Sequence, residues 1–160
     1  MAITQQKYFP NKTGEVQLDS YFQEMAKRDG KKIIGLETIH AQIKALYGQL
    51  TMQRQASLLY DALREKGRLK EQIGVMNTAY ASQNLSALQE LMYGSAYEQQ
   101  ELKSLLDDRN NKWMEQLPKL MGEHALFVAV GALHLTGKTG LVEQLRQLGY
   151  TVTPINLAHR

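Results

Sequence analysis

Two polar residues stand just after short apolar runs. Glu37 follows Ile33-Ile34-Gly35-Leu36, and His134 follows Leu126-Phe127-Val128-Ala129-Val130 through Gly131-Ala132-Leu133. If these runs are parallel neighbouring strands, a carboxylate and an imidazole meet at the carboxyl rim of a sheet, where open α/β folds bind their ligands. Such a pair can ligate Zn²⁺ or Mn²⁺, and it can equally act as a base with its partner. Spacing alone leaves a plainer alternative open, in which His134 caps a loop and Glu37 caps the next helix.

A second constellation is Asp107-Asp108-Arg109-Asn110-Asn111-Lys112-Trp113. With Asp108 as an N-cap, Arg109 and Asn110 fall in the first turn of a helix ending near Met121. From there the Arg109 fork can address a carboxylate or a substrate oxygen. The alternative is an exposed polar first turn, and Trp113 is expected in the core on either reading.

Other candidates carry less. Gly131 to Thr139 looks like a phosphate-binding loop, but five residues rather than four separate Gly131 from Gly137. The wrapping of phosphate by backbone N–H groups depends on that count, so Lys138 reads as a solvated residue at a helix start. His40, His124 and His159 match no ligand spacing and read as structural or surface residues. No nucleophile elbow is present.

The elements that would position these groups follow from apolar periodicity. Leu18, Tyr21, Phe22, Met25 and Ala26 line one helix face, with Gly30 as its stop, which predicts a helix over 17–28. Leu58, Leu59, Ala62 and Leu63, then Leu85, Leu88, Leu91 and Met92, then Leu102, Leu105 and Leu106 make 51–121 almost wholly helical, with breaks at Gly67, Asn84 and Gly94. Strands are expected over 32–37, 125–130 and 150–155, with a helix over 138–148 ending at Gly149. The implied fold is a single helix-rich α/β domain over 1–160, α+β being possible. It has a small mixed sheet of about three strands, a large helical insertion and a C-terminal β-α-β unit. Three strands are few for a covered sheet, so the sheet reads as incomplete.

At 160 residues and 43% hydrophobic, the chain has the means to bury one core. Its net charge of +3 comes without a run of like charges, so no nucleic-acid partner is expected. The absence of cysteine excludes disulfides and thiolate metal sites. No apolar stretch approaches the ~20 residues of a membrane span, and residues 1–7 do not read as a signal peptide.

One family has these residues in this order. Gly30 to Thr38 with its Leu36-Glu37 pair, Gln42, a helical region, Arg109-Asn110 with Trp113, Phe127 to Leu135, Gly137, Gly140-Leu141 and Leu148 to Val152 resemble the C-terminal portion of TraB/GumN (PrgY, Tiki-like) proteins over about 16–153. The resemblance implies a divalent-metal-dependent hydrolase, with peptidase as one option, acting on a peptide or protein, with Mn, Co or Zn as its metal. It assigns Gly131 and His134 to the family's second Gly-x-x-His, Glu37 to its acid, and Arg109 with Asn110 to its Arg-Asn pair. His134 and Glu37 would be the metal ligands. The family's first Gly-x-x-His has no counterpart here, so the chain is expected to lack the N-terminal part of the domain. A non-catalytic module that sequesters a peptide, or a structural remnant, is the alternative. An extracytoplasmic parent and a homodimer formed along an unpaired sheet edge are further expectations.

Overall fold

The computed structural model describes residues 17–48 and 50–155. The chain divides into two compact units, 1–35 and 36–160. Within the first, α1 (Leu18–Arg28) carries Asp19 in its first turn and Lys27 and Arg28 in its last, charges that suit the helix dipole. Gly30, at φ +63°, ends it. Its N–H donates to the Lys27 carbonyl and that of Lys31 to the Ala26 carbonyl, closing the last turn.

The second unit begins at Leu36 and runs through α2 (Ile39–Tyr47), α3 (Met52–Arg64), α4 (Lys66–Ala81) and α5 (Leu85–Tyr93). Thr38, Thr51 and Asn84 cap α2, α3 and α5, each accepting from the backbone N–H three residues on. Next comes a composite helix. It opens as α6 (Gln99–Leu102), widens into a π-turn over Lys103–Asp107, and continues as α7 (Asp108–Met114). After α8 (Leu117–Glu123), residues 124–131 lead into a 3₁₀ turn at Ala132–Leu135, and α9 (Leu141–Gln147) follows. Trp113, Leu117 and Leu141 form the core beneath the turn, with Leu36, Met114 and Val130 packed against them. No helix among the described residues is long and apolar enough to cross a membrane.

The expected sheet is not there. No strand forms among the described residues, and 32–37, 125–130 and 150–155 are neither helix nor ladder, so the α/β class gives way to a helical one. An apolar run states an appetite for burial, but a strand also needs a second segment alongside to share its N–H and C=O groups. Ile33, Ile34, Leu126 and Val128 are exposed accordingly. The helical stretch from 51 to 121 is as expected, with Asn84 and Gly94 at its breaks, whereas Gly67 lies inside α4. Asp108 does not start a helix, because the composite helix runs through it from Gln99.

Candidate functional site

Glu37 sits between Leu36 and the Thr38 cap of α2, so the capping role belongs to Thr38. The Gln116 side-chain amide donates to the Leu36 carbonyl at 2.8 Å, tying this segment to the start of α8. From this anchor the Glu37 carboxylate faces α7. Arg109 meets it with both arms of its fork: Nε donates to Oε2 at 3.1 Å and Nη2 to Oε1 at 2.8 Å. The two side chains are only 15% and 12% exposed, so the pair is held largely away from solvent screening.

The other end of the guanidinium faces the C-terminal segment. Nη1 donates to the Leu105 carbonyl within the π-turn at 3.0 Å and lies 3.1 Å from His134 Nε2. Trp113, one helical turn beyond Arg109, lays its ring 5.0 Å below the guanidinium carbon and 4.5 Å from the His134 ring. His134 is brought here by the 3₁₀ turn, whose first bond runs from the His134 N–H to the Gly131 carbonyl at 2.9 Å.

Asn110, 1% exposed, fixes the imidazole. Its Nδ2 donates to the carbonyls of His134 and Thr139 at 3.2 and 2.9 Å, so its Oδ1 is the atom facing His134 Nδ1 at 2.7 Å. Arginine can only donate, so Nε2 accepts from Arg109 and the ring proton resides on Nδ1. The ring is neutral. Burial first, and the Arg109 charge second, lower its pKa from 6.5 to about 4, with Glu37 pulling weakly the other way.

Four residues from three separated stretches of sequence thus form one unbroken chain of polar contacts, Glu37–Arg109–His134–Asn110. A model of the TraB/PrgY/gumN family matches residues 1–154. The chain belongs to the TraB/PrgY/gumN family. No curated protein and no solved structure matches it.

The TraB/PrgY/gumN candidates therefore converge, through a different geometry from the one expected. Arg109 and Asn110 reach the site from the middle of a helix, and a guanidinium stands between the carboxylate and the imidazole. Gly131 is adjacent, and a Cβ there would meet only His134 Cδ2, at 3.7 Å. His40, His124 and Lys138 are exposed, and His159 lies outside the described residues.

Sequence reasoning missed the supports. Leu105 contributes a carbonyl, which no side-chain pattern can signal. Thr139 donates its hydroxyl to Asp107 at 2.6 Å while its carbonyl accepts from Asn110 and Gln144. Gly140 is the one support with a visible signal, a glycine just before a helix. A Cβ on it would lie 2.3 Å from the Thr136 carbonyl oxygen.

The metal that the TraB/GumN resemblance implies does not fit this arrangement. Catalytic zinc takes about three protein ligands, and no group of three His, Cys, Asp or Glu residues is gathered among the described residues. The two intended donors, Glu37 and His134 Nε2, both already bind the same guanidinium.

Proposed function

We propose that this TraB/PrgY/gumN chain serves the hydrolysis of a peptide or protein substrate, with Glu37, Arg109, Asn110 and His134 as its polar centre. The observation that supports this reading is the buried chain from Glu37 to Asn110. An ion pair and an imidazole gathered away from water carry a desolvation cost that well-packed apolar residues would avoid, and pre-organised polar groups are what transition-state stabilisation requires.

Each residue has a definite task. Arg109 has five N–H bonds, and four of them are engaged, by Glu37, by Leu105 and by His134. The fifth, on Nη2, remains for a substrate carbonyl oxygen, which develops negative charge as water adds to the carbonyl carbon and gives up a proton to the solvent. Glu37 aims the fork. Asn110 keeps the His134 ring proton on Nδ1, so that Nε2 presents its lone pair to Arg109 Nη1 and helps to hold the fork. With its pKa near 4, His134 is neutral at pH 7 and acts as an acceptor rather than as an acid. The divalent ion implied by the resemblance enters this reading only with Arg109 displaced.

A second reading, a module that binds a peptide without cleaving it, is favoured by one observation: both ring nitrogens of His134 and both oxygens of Glu37 already have partners. Incubating the chain and its His134→Ala variant with a defined peptide library, with and without Mn²⁺, Co²⁺ or Zn²⁺, separates the two by mass spectrometry. Cleavage that depends on His134 supports the hydrolase. Peptides retained but uncleaved under every condition would replace it with the binding module.

A further inference from the structure

We infer that Arg109 is the resident cation of this site: its guanidinium takes the place between Glu37 and His134 that a divalent ion would need, so guanidinium and metal exclude each other. The inference rests on reading the cluster as the functional centre, but not on any reaction there. The decisive atom is His134 Nε2. An imidazole nitrogen has a single lone pair, and Arg109 Nη1 fills it at 3.1 Å. A metal can reach that nitrogen only after Nη1 has left.

The guanidinium is also held through each of its three nitrogens and from below. Its Nε and Nη2 lie on the two Glu37 oxygens, its Nη1 on the Leu105 carbonyl, and its carbon 5.0 Å from the centre of the Trp113 ring. This is a built cradle for a planar cation: a carboxylate matched to the fork, a carbonyl and an aromatic face. Asn110 meanwhile pins the imidazole through Nδ1 at 2.7 Å, so the Nε2 lone pair stays directed at whatever fills the cradle. An imidazole with its other N–H engaged by an oxygen acceptor is the arrangement in which histidine binds metals. Removing only the guanidinium leaves a carboxylate and an oriented imidazole facing one gap. That gap is a two-donor site for Mn²⁺ or Co²⁺, with water completing the coordination.

The test uses the full 160-residue chain and Co²⁺ alone. In the wild type, millimolar Co²⁺ is expected to leave the melting temperature and the NMR signals of the His134 ring unchanged. In Arg109→Ala, the same Co²⁺ is expected to raise the melting temperature by a few degrees, because it binds the native state alone. The rise should vanish in Arg109→Ala/His134→Ala, and methylguanidinium should compete it away by refilling the cradle. Broadening of the His134 ring by Co²⁺ in the wild type would overturn the inference, as would a folded Arg109→Ala that gains no affinity for the ion. Should Arg109→Ala fail to fold, Arg109→Gln carries the same comparison and the wild-type spectrum still decides by itself. Peptide cleavage is a separate readout. A chain that cleaves nothing but shows this exchange would sink the hydrolase reading and leave the inference standing.

Discussion

Replacing Asn110 by alanine removes the group that holds His134 in place, and the size of the effect can be worked from its contacts. The side chain is 1% exposed and makes three hydrogen bonds, to the carbonyls of His134 and Thr139 and to His134 Nδ1. Each such bond contributes about 1 kcal/mol net, and buried partners left unsatisfied cost more, so the expected loss is about 3–5 kcal/mol. For a chain of this size ~2–4 °C accompanies each kcal/mol, which places the fall in melting temperature at about 6–20 °C. Urea denaturation followed by circular dichroism measures the loss in free energy, and a thermal melt measures the accompanying fall. Asn110→Asp sharpens the test, because it sets a carboxylate oxygen where Nδ2 now donates to two carbonyl oxygens. That variant should be at least as unstable as Asn110→Ala at pH 7, and the gap between it and the wild type should narrow as pH falls, because its carboxyl regains a proton to donate. A loss below about 1 kcal/mol for Asn110→Ala would refute the argument that these bonds, rather than apolar packing alone, organise the turn at His134.

Acid should weaken the fold through His134. Its folded pKa of about 4 lies below its ordinary 6.5, so the unfolded chain binds the proton first; this contribution to stability is complete above about 6.5 and is lost as pH falls through about 4. Urea titrations from pH 7 to pH 4 should show the wild type losing more stability than His134→Gln, and parallel losses would remove His134 as the cause. Gly140→Ala should lower the melting temperature steeply, since its Cβ would lie 2.3 and 2.6 Å from the Thr136 and Leu135 carbonyl oxygens. Gly131→Ala meets only a 3.7 Å contact and should be near neutral, so equal effects at the two glycines would contradict the packing described. Arg54, which bonds both Glu101 oxygens at 2.7 and 3.0 Å and the Ala96 carbonyl, ties α3 to α6. Arg54→Met should melt at a lower temperature than Arg68→Met, whose ion pair with Glu65 lies on the surface.

The candidate site was more legible than the fold, and the reasons are physical. Glu37, Arg109, Asn110 and His134 stand out by type, because each can do chemistry, and by position, because each follows or opens an expected element. Their meeting did not depend on the sheet that was expected to arrange it. Leucine spacing revealed the helices because a helix satisfies its backbone within its own segment. The runs at 33–36 and 125–130 promised strands, yet a strand exists only with a neighbour, and no periodicity within a run names one. Asp108 resembled a cap because Asp commonly starts helices, but a helix already under way needs none. Thr38, not Glu37, was the true cap of α2, and that left the Glu37 carboxylate free for Arg109.

The π-turn at Lys103–Asp107 gives the composite helix a slack point. A π-turn accommodates one residue more than the α-helical repeat within about the same rotation, so the helix on either side keeps its phase. Deleting a single residue there would let the helix relax to a regular winding with Arg109, Asn110 and Trp113 still facing Glu37, His134 and the core. What the deletion would disturb is the wide turn itself, which meets the cluster where the Leu105 carbonyl accepts from Arg109 Nη1. A residue removed from the regular winding between Asp108 and Trp113 has no such turn to absorb it, and would swing the side chains beyond it by roughly 100°. Length is therefore forgiving at the π-turn and strict in the helix that follows it.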